Sequence, residues 1–255
     1  MNYEEIQPNG ELKAYARRQL KGVWGAMAFT YFIYFLIFLP QYIFSFLNSI
    51  LDSEQYHFLV LQNLLYDYMP NITQFIPGIS NVLAVIMLLA AGPFALGFAG
   101  FFLKRIRGEQ IAVENIFDGF KCFFQSFLLM FFTVLFTALW CLLLIIPGIV
   151  KAFGYSMAFY IMYDNPEIKP QEALKKSQIM MKGYKFKLFL LELSFLGWML
   201  LAYLSFGIGF LWLNPYMYLS IANFYENLKR NQENNQTANP AINQTKPPID
   251  LFQST

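Results

Sequence analysis

Charge is absent from four long stretches of the chain: Val23 to Leu51, Tyr68 to Leu103, Cys122 to Val150 and Leu193 to Tyr225. A bilayer crossing needs roughly 20 apolar residues as a helix. Each stretch therefore holds at least one crossing, and some are long enough for nearly two. Proline and glycine divide them further. A first helix is expected from about Val23 to Leu39, with Pro40 as its kink or exit. A wetter loop with Asp52, Glu54, His57 and Asp67 follows and ends near Pro77-Gly78. A second helix runs from about Ile79 to Leu103 and stops at Lys104-Arg105. Ser126 to Tyr163 is too long for one crossing, and Pro147-Gly148 near its middle predicts a tight hairpin. Leu188 to Tyr225 has the same form, with Gly207 and Gly209 at the bend. The pattern predicts an all-α, polytopic membrane helix bundle with six transmembrane helices.

Composition agrees: 57% of the residues are hydrophobic, 19% aromatic and 13% charged, against about 25% charged in a typical soluble chain. The charged preface to the first apolar run, Met1 to Lys21, is long, and no small-residue cleavage site closes that run. It therefore reads as a retained helix, not a removed leader. Cys122 and Cys141 form neither a disulfide framework nor a metal pattern. The net charge of +2 suggests no nucleic-acid partner, because the basic residues sit where membrane flanks need them.

Lys and Arg concentrate on the cytoplasmic side of membrane proteins. With the N-terminus inside, Lys13, Arg17, Arg18, Lys21, Lys104, Arg105, Arg107 and Lys121 all fall inside. So do the lysines from 169 to 187, and Lys229, Arg230 and Lys246. Of the 18 basic residues only Lys151 is left outside. The expected organisation is a cytoplasmic amphipathic segment over 1–22, then a six-helix domain over 23–228. Within that domain an outer loop covers 51–78, and cytoplasmic loops cover 104–122 and 164–187. A disordered cytoplasmic tail over 229–255 ends the chain, because its Asn, Gln, Thr and Pro bury too little surface to offset ordering entropy.

Internal similarity accompanies this layout. ELKAYARRQLKGVW at Glu11 to Trp24 and EALKKSQIMMKGYK at Glu172 to Lys185 both start acidic, turn basic and end in Lys-Gly beside an aromatic. A weaker version, ENIFDGFKCFF, occupies Glu114 to Phe124. Three units are then conceivable, each a short amphipathic helix followed by a helical hairpin, with basic side chains snorkelling to headgroups. The alternative is that any loop-to-helix junction in a membrane protein has this composition, and both readings stand at this point.

The second half, IIPGIVKAFGYSMAFYIMYDNPEIKPQEALKKSQIMMKGYKFKLFLLELSFLGWMLL and then GIGFLWLNPYMYLSIANFYENL, resembles the bacterial membrane family known as domain of unknown function 975. The opening ELKAYARRQLKGVWG and the central FDGF resemble it as well, so the likeness covers most of residues 11 to 228. The resemblance implies a bacterial plasma-membrane protein of several spans, both termini cytoplasmic on the charge argument, and carries no activity with it.

Four polar residues stand out as a candidate intramembrane site: Glu192, Asn214, Asn223 and Lys151. Glu192 lies five positions past Lys187, roughly 7 to 8 Å into its helix at ~1.5 Å per residue. Ionisable groups within spans often mark ion or substrate paths; a carboxylate that snorkels or pairs with Lys182 to Lys187 is the plainer account. Asn214-Pro215 interrupts the last helix and Asn223 follows, a pattern used in transporters but more often a satisfied kink. Lys151 could meet a ligand on the outer side or simply snorkel. Ala91, Ala95 and Ala99, with Gly92, Gly97 and Gly100 nearby, read as a close-packing stripe. Asp164-Asn165-Pro166-Glu167 reads as a turn, followed by a helix starting at Pro170.

Catalysis is not expected. His57 is the only histidine, no phosphate-binding glycine loop is present, and no pair of aspartates lies within spans. No cofactor or metal is expected. Two function classes follow. One is a structural or regulatory factor that organises lipids, a partner membrane protein or a second copy of itself. The other is a small transporter or exporter with a path between the hairpins. Sparse intramembrane polarity favours the first. The orientation has a direct test: a membrane-impermeant thiol reagent added to intact cells should label His57→Cys and leave Lys176→Cys untouched; the reverse pattern inverts the topology.

Overall fold

A computed structural model describes residues 6–52 and 70–238, and they form helices throughout: α1 (Asn9–Leu20), α2 (Trp24–Asp52), α3 (Pro70–Ile106), a 3-10 helix (Val113–Cys122), α4 (Phe123–Leu143), α5 (Ile145–Tyr155), α6 (Ala158–Asp164), α7 (Pro170–Met180), α8 (Lys185–Leu193), α9 (Leu196–Leu204) and α10 (Phe210–Ala238). They divide into two compact units, one from the described residues of 30–91 and one from those of 1–29 and 92–255. In the smaller unit α2 and α3 present large apolar side chains outward, among them Phe46, Val82 and Leu88 at 60–67% exposure. An apolar surface of that kind is matched by lipid, not water.

Five stretches among the described residues are long and apolar enough to cross a bilayer: Trp24–Phe46, Pro77–Ile106, Val113–Leu143, Ile145–Asp164 and Lys185–Leu204. The chain is a multi-pass membrane protein on that evidence. The sixth expected crossing, α10, is not among them, because its sequence holds Asn214, Asn223, Glu226 and Asn227. Its middle is instead covered by protein, with Leu219, Ala222, Phe224 and Tyr225 fully buried, while Trp212 and Tyr218 are 49% and 40% exposed. A stretch covered by its neighbours has no need of an apolar outer surface.

Several expected boundaries move. α2 runs on through Pro40 to Asp52 and α3 begins at Pro70, so Pro77 and Gly78 lie inside a helix and not at the end of a loop. Proline removes one backbone donor but does not end a helix whose flanks remain apolar and membrane-matched. His57 and residues 53–69 of the expected outer loop lie outside the described residues. The tail expected to be disordered from 229 is helical to Ala238. Extension of a formed helix avoids the nucleation cost, so polar residues can continue it. Residues 239–255 lie outside the described residues.

Both predicted hairpins are present in the larger unit. In the first, the turn is Leu144, extended at φ −158°, while Pro147 occupies the first turn of α5. A proline there loses no hydrogen bond, because first-turn amides have no helical partner. Gly148 serves close approach: a Cβ on it would lie 2.8 Å from the Cα of Cys141. In the second hairpin Gly207 adopts φ +85°, Ser205 Oγ accepts from the Gly209 amide at 2.8 Å, and a Cβ on Gly209 would lie 2.7 Å from the Cα of Ala202. Each hairpin thus packs a glycine against the residue seven positions earlier, a shared geometry that supports true repetition.

Small residues set the spacing on α3. A Cβ on Gly97 would collide with the carbonyl of Ile116, one on Gly119 with the carbonyl of Pro93, and one on Gly100 with the ring of Tyr163. The stripe read as packing is packing. Around this contact Phe94 meets Phe120 edge-on at 5.0 Å, and Asp118 bridges Lys104 at 2.9 Å and Lys121 at 2.7 Å. Backbone-to-backbone contact leaves no flexible side chain to yield. Gly119→Ala should therefore lose about 1–3 kcal/mol in thermal unfolding in detergent, whereas Gly25→Ala, with open space around it, should be neutral or better; equal effects would contradict the packing.

Candidate functional site

The three short helices follow one rule of placement. The 3-10 helix, which precedes α4, packs on α3 through Gly97, Phe94 and Lys104. α7, which precedes α8, folds back along α5 and α6, where Ser177 Oγ donates to the Gly154 carbonyl at 2.7 Å and accepts from the Met157 amide at 3.2 Å. α1 has no span before it and packs on the last helix, α10. α1 and α7 each end in a turn that contains a left-handed glycine, Gly22 at φ +79° and Gly183 at φ +87°. That is the shared Lys-Gly of the sequence similarity. A side chain with Cβ disfavours this backbone conformation, which accounts for glycine at both positions.

Leu12, Ala16 and Leu20, at four-residue spacing, form the fully buried stripe of α1. The apolar face expected to lie in the membrane surface is therefore taken up by α10. Lys13 and Arg17 occupy the adjacent stripe and face the second hairpin. There the fifth candidate span is broken between α8 and α9 at Ser194-Phe195. Lys13 Nζ donates to Ser194 Oγ at 2.9 Å and to its carbonyl at 3.4 Å, and sits 4.5 Å from the Phe195 ring centroid. A cation at the carbonyl end of α8 complements the helix dipole. Burial first, and then the neighbouring Arg17, push the Lys13 ammonium below the usual lysine value.

Beside this contact opens a groove of about 590 Å³. Lys13, Arg17 and Trp24 form one end. Trp198, Leu201 and Ala202 of α9 line one wall, Trp212, Leu213 and Tyr216 of α10 the other, and Ser205 and Gly209 at the hairpin tip close the far end. From Ser194 to Ser205 is about 16 Å at 1.5 Å per helical residue. The groove is thus cationic at one end and apolar along most of its length. No carboxylate among the described residues lines it. Arg17 makes no hydrogen bond or ion pair with a described residue, so its planar set of donors stays open.

The four polar residues singled out in the sequence are not joined to one another by any hydrogen bond or ion pair. Asn223 is 5% exposed and donates to the Leu12 carbonyl at 3.4 Å, fastening α10 to α1; its own carbonyl groups accept from Asn227. Asn214 is half-buried on α10, one residue before the buried Pro215. Glu192 is half-buried on α8 and forms no ion pair with Lys182 to Lys187, which removes the pairing half of the plainer account and leaves the snorkelling one. Lys151 needs a correction. Its Nζ donates to Gln178 Oε1 at 3.2 Å and lies 4.8 Å from the Trp140 centroid. Gln178 belongs to the loop assigned to the cytoplasmic side, so Lys151 is held by that loop and does not stand free at the outer surface. The contact forms because α7 folds back along α5.

Sequence reasoning missed the groove because it searched for polar residues inside spans. The readable signal was different: Lys13 and Arg17 one turn apart on α1, and Trp198 and Trp212 on either side of a predicted bend.

An all-α multi-pass membrane protein with short helices docked on hairpins is the class that these observations define. Over residues 130–232 the chain matches the family described as protein of unknown function, DUF975, the family that the second half resembles. That match takes in α5 to α9 and most of α4 and α10, and leaves α1 and the FDGF segment outside. No curated protein and no solved structure matches the chain.

The Lys151 placement is open to direct measurement. With Cys122 and Cys141 replaced by serine, Lys151→Cys and Gln178→Cys should be bridged by a short bis-maleimide in native membranes. Absence of the bridge, with each cysteine reactive alone, would contradict the contact between Lys151 and α7.

Proposed function

We propose that this chain is a non-enzymatic, multi-pass factor of the bacterial plasma membrane, with both termini cytoplasmic, that acts through what its short helices hold against the hairpins. The observation that supports this reading is the use made of polar side chains in the larger unit. Asn223 fastens α10 to α1, Ser177 fastens α7 to α5, Lys13 closes the break before α9, and Lys151 is held by Gln178. Each joins helices to one another. A solute path would need such groups to converge on a space near the middle of the spans. The groove beside α1 is instead apolar for most of its length, which suits an amphiphile better than a hydrated solute. On this reading α10 is the sixth crossing, its polar middle covered by neighbouring helices, and organisation of lipids or of a partner membrane protein is the role.

A second reading, a small transporter, rests on Glu192, whose carboxylate has no hydrogen bond or ion pair with a described residue. Reconstitution separates the two. Proteoliposomes loaded with a pH-sensitive dye should dissipate an imposed pH gradient no faster than protein-free vesicles, with Glu192→Gln indistinguishable from wild type. Faster dissipation by wild type that Glu192→Gln abolishes would favour transport and remove the structural reading.

A further inference from the structure

The groove beside α1 carries more positive charge than the surrounding protein uses. Lys13 directs two contacts to Ser194, Arg17 directs none to a described residue, and no carboxylate among the described residues lines the space. Two cations one helical turn apart, with an open guanidinium among them, form a receptor for an oxyanion, and a planar guanidinium matches the paired oxygens of a phosphate. The remainder of the groove constrains what that anion is attached to. Trp198, Leu201, Ala202 and Leu213 line the groove between the Lys13–Ser194 contact and the hairpin tip, which lie about 16 Å apart at helical rise. Trp198 and Leu201 are also 60% and 58% exposed, so this wall opens to the same surroundings as the rest of the apolar hairpin. Tyr216 lies by the charged end, where its ring meets Phe195 at 5.1 Å, and a ring with one polar edge favours headgroup depth.

The first hairpin shows what the groove would be if it were only a joint. When the Lys-Gly turns are superimposed in sequence, Arg17 corresponds to Gln178. When the close-packed glycines Gly148 and Gly209 are superimposed, Lys151 corresponds to Trp212. At the first hairpin Gln178 and Lys151 hydrogen-bond to each other at 3.2 Å and bridge helix to hairpin. At the second, the same two positions are an arginine and a tryptophan, and the Trp212 ring offers no acceptor. One copy is closed by its own side chains; the other presents a cation beside an apolar wall.

We infer that this groove binds one anionic phospholipid, with its phosphate between Lys13 and Arg17 and an acyl chain along Trp198, Leu201 and Leu213. The inference rests on the reading of the chain as a non-enzymatic membrane factor and names the ligand of its groove. Binding selects anionic over zwitterionic headgroups, because a choline places a second cation beside Arg17.

Tryptophan fluorescence reads this site directly. The chain has 4 tryptophans, and Trp140→Phe leaves only Trp24, Trp198 and Trp212, which line the groove. That variant is placed in phosphatidylcholine nanodiscs, and brominated phosphatidylglycerol or brominated phosphatidylcholine is titrated in. Half-quenching should need about fivefold less of the anionic lipid, the size of effect that one or two basic groups give near a phosphate. Arg17→Gln breaks no hydrogen bond to a described residue and should remove most of that preference; Lys13→Gln should weaken it too, and the Arg17 variant keeps the test intact if the Lys13 variant is unstable. Equal quenching by both lipids, or a preference that survives Arg17→Gln, would overturn the inference. Neither result bears on the dye assay, so loss of the lipid site and loss of the non-transport reading are separate outcomes.

Discussion

The larger unit depends on a buried carboxylate at the end of α6. The side chain of Asp164 is 6% exposed and is held by Arg107 at 2.9 Å, Lys229 at 2.7 Å and the Tyr225 hydroxyl, which donates to it at 2.9 Å. Arg107 also pairs with Glu226, itself 9% exposed, at 2.6 Å. Burial opposes the charge on Arg107, but Asp164 and Glu226 outweigh it and hold the guanidinium above its usual range. Loss of one partner from such a network strands a charge and typically costs about 3–5 kcal/mol. The network therefore fixes the exit of α3, the end of α6 and the middle of α10 at one level. With that level fixed, Tyr160 stacks on Tyr225 at 5.2 Å, and polar residues of α10 can be surrounded by protein.

The charge-free stretches made the spans and the hairpins legible, because the cost of a charge in hydrocarbon acts on every residue of a crossing. Helix ends were less legible. Pro40 was read as a kink or exit, Pro77 as the end of a loop and Pro147 as a turn, and all three lie within helices. In water a proline's missing donor and its clash disfavour helix continuation; inside a bilayer any alternative to helix exposes still more unpaired backbone. The Asn-rich start of the tail misled for a related reason, since composition reports whether a segment can fold alone and not whether it can extend a helix already anchored at Tyr225 and Leu228.

The candidate site was legible in part. Polar residues within apolar surroundings are conspicuous in a sequence, and that is why Glu192, Asn214, Asn223 and Lys151 were selected. Two of them prove to be fasteners: Asn223 reaches a backbone carbonyl of α1, and Lys151 reaches α7. Nothing in the spacing of either residue gives its partner, because both partners depend on short helices folding back against spans far away in the chain. Lys13 and Arg17 were legible as basic residues but read as membrane flanks, since the break at Ser194 that draws Lys13 inward has no proline or glycine to announce it.

Those short helices perform a task that the broken spans require. The break between α5 and α6 frees backbone groups at Gly154 and Met157, and Ser177 of α7 supplies both a donor and an acceptor. The break between α8 and α9 frees the carbonyl of Ser194, and Lys13 of α1 supplies the donor. Serine satisfies the first break with a neutral hydroxyl; lysine satisfies the second with a full charge where one hydrogen bond would suffice. A charge placed in a tryptophan-lined space, beside a second, exposed cation one turn away and with no carboxylate among the described lining residues, leaves positive charge that an anion can share. The neutral alternative was available in the same architecture, since α7 already uses it. The asymmetry between the two joints is therefore the physical reason to regard the first as structure and the second as a site.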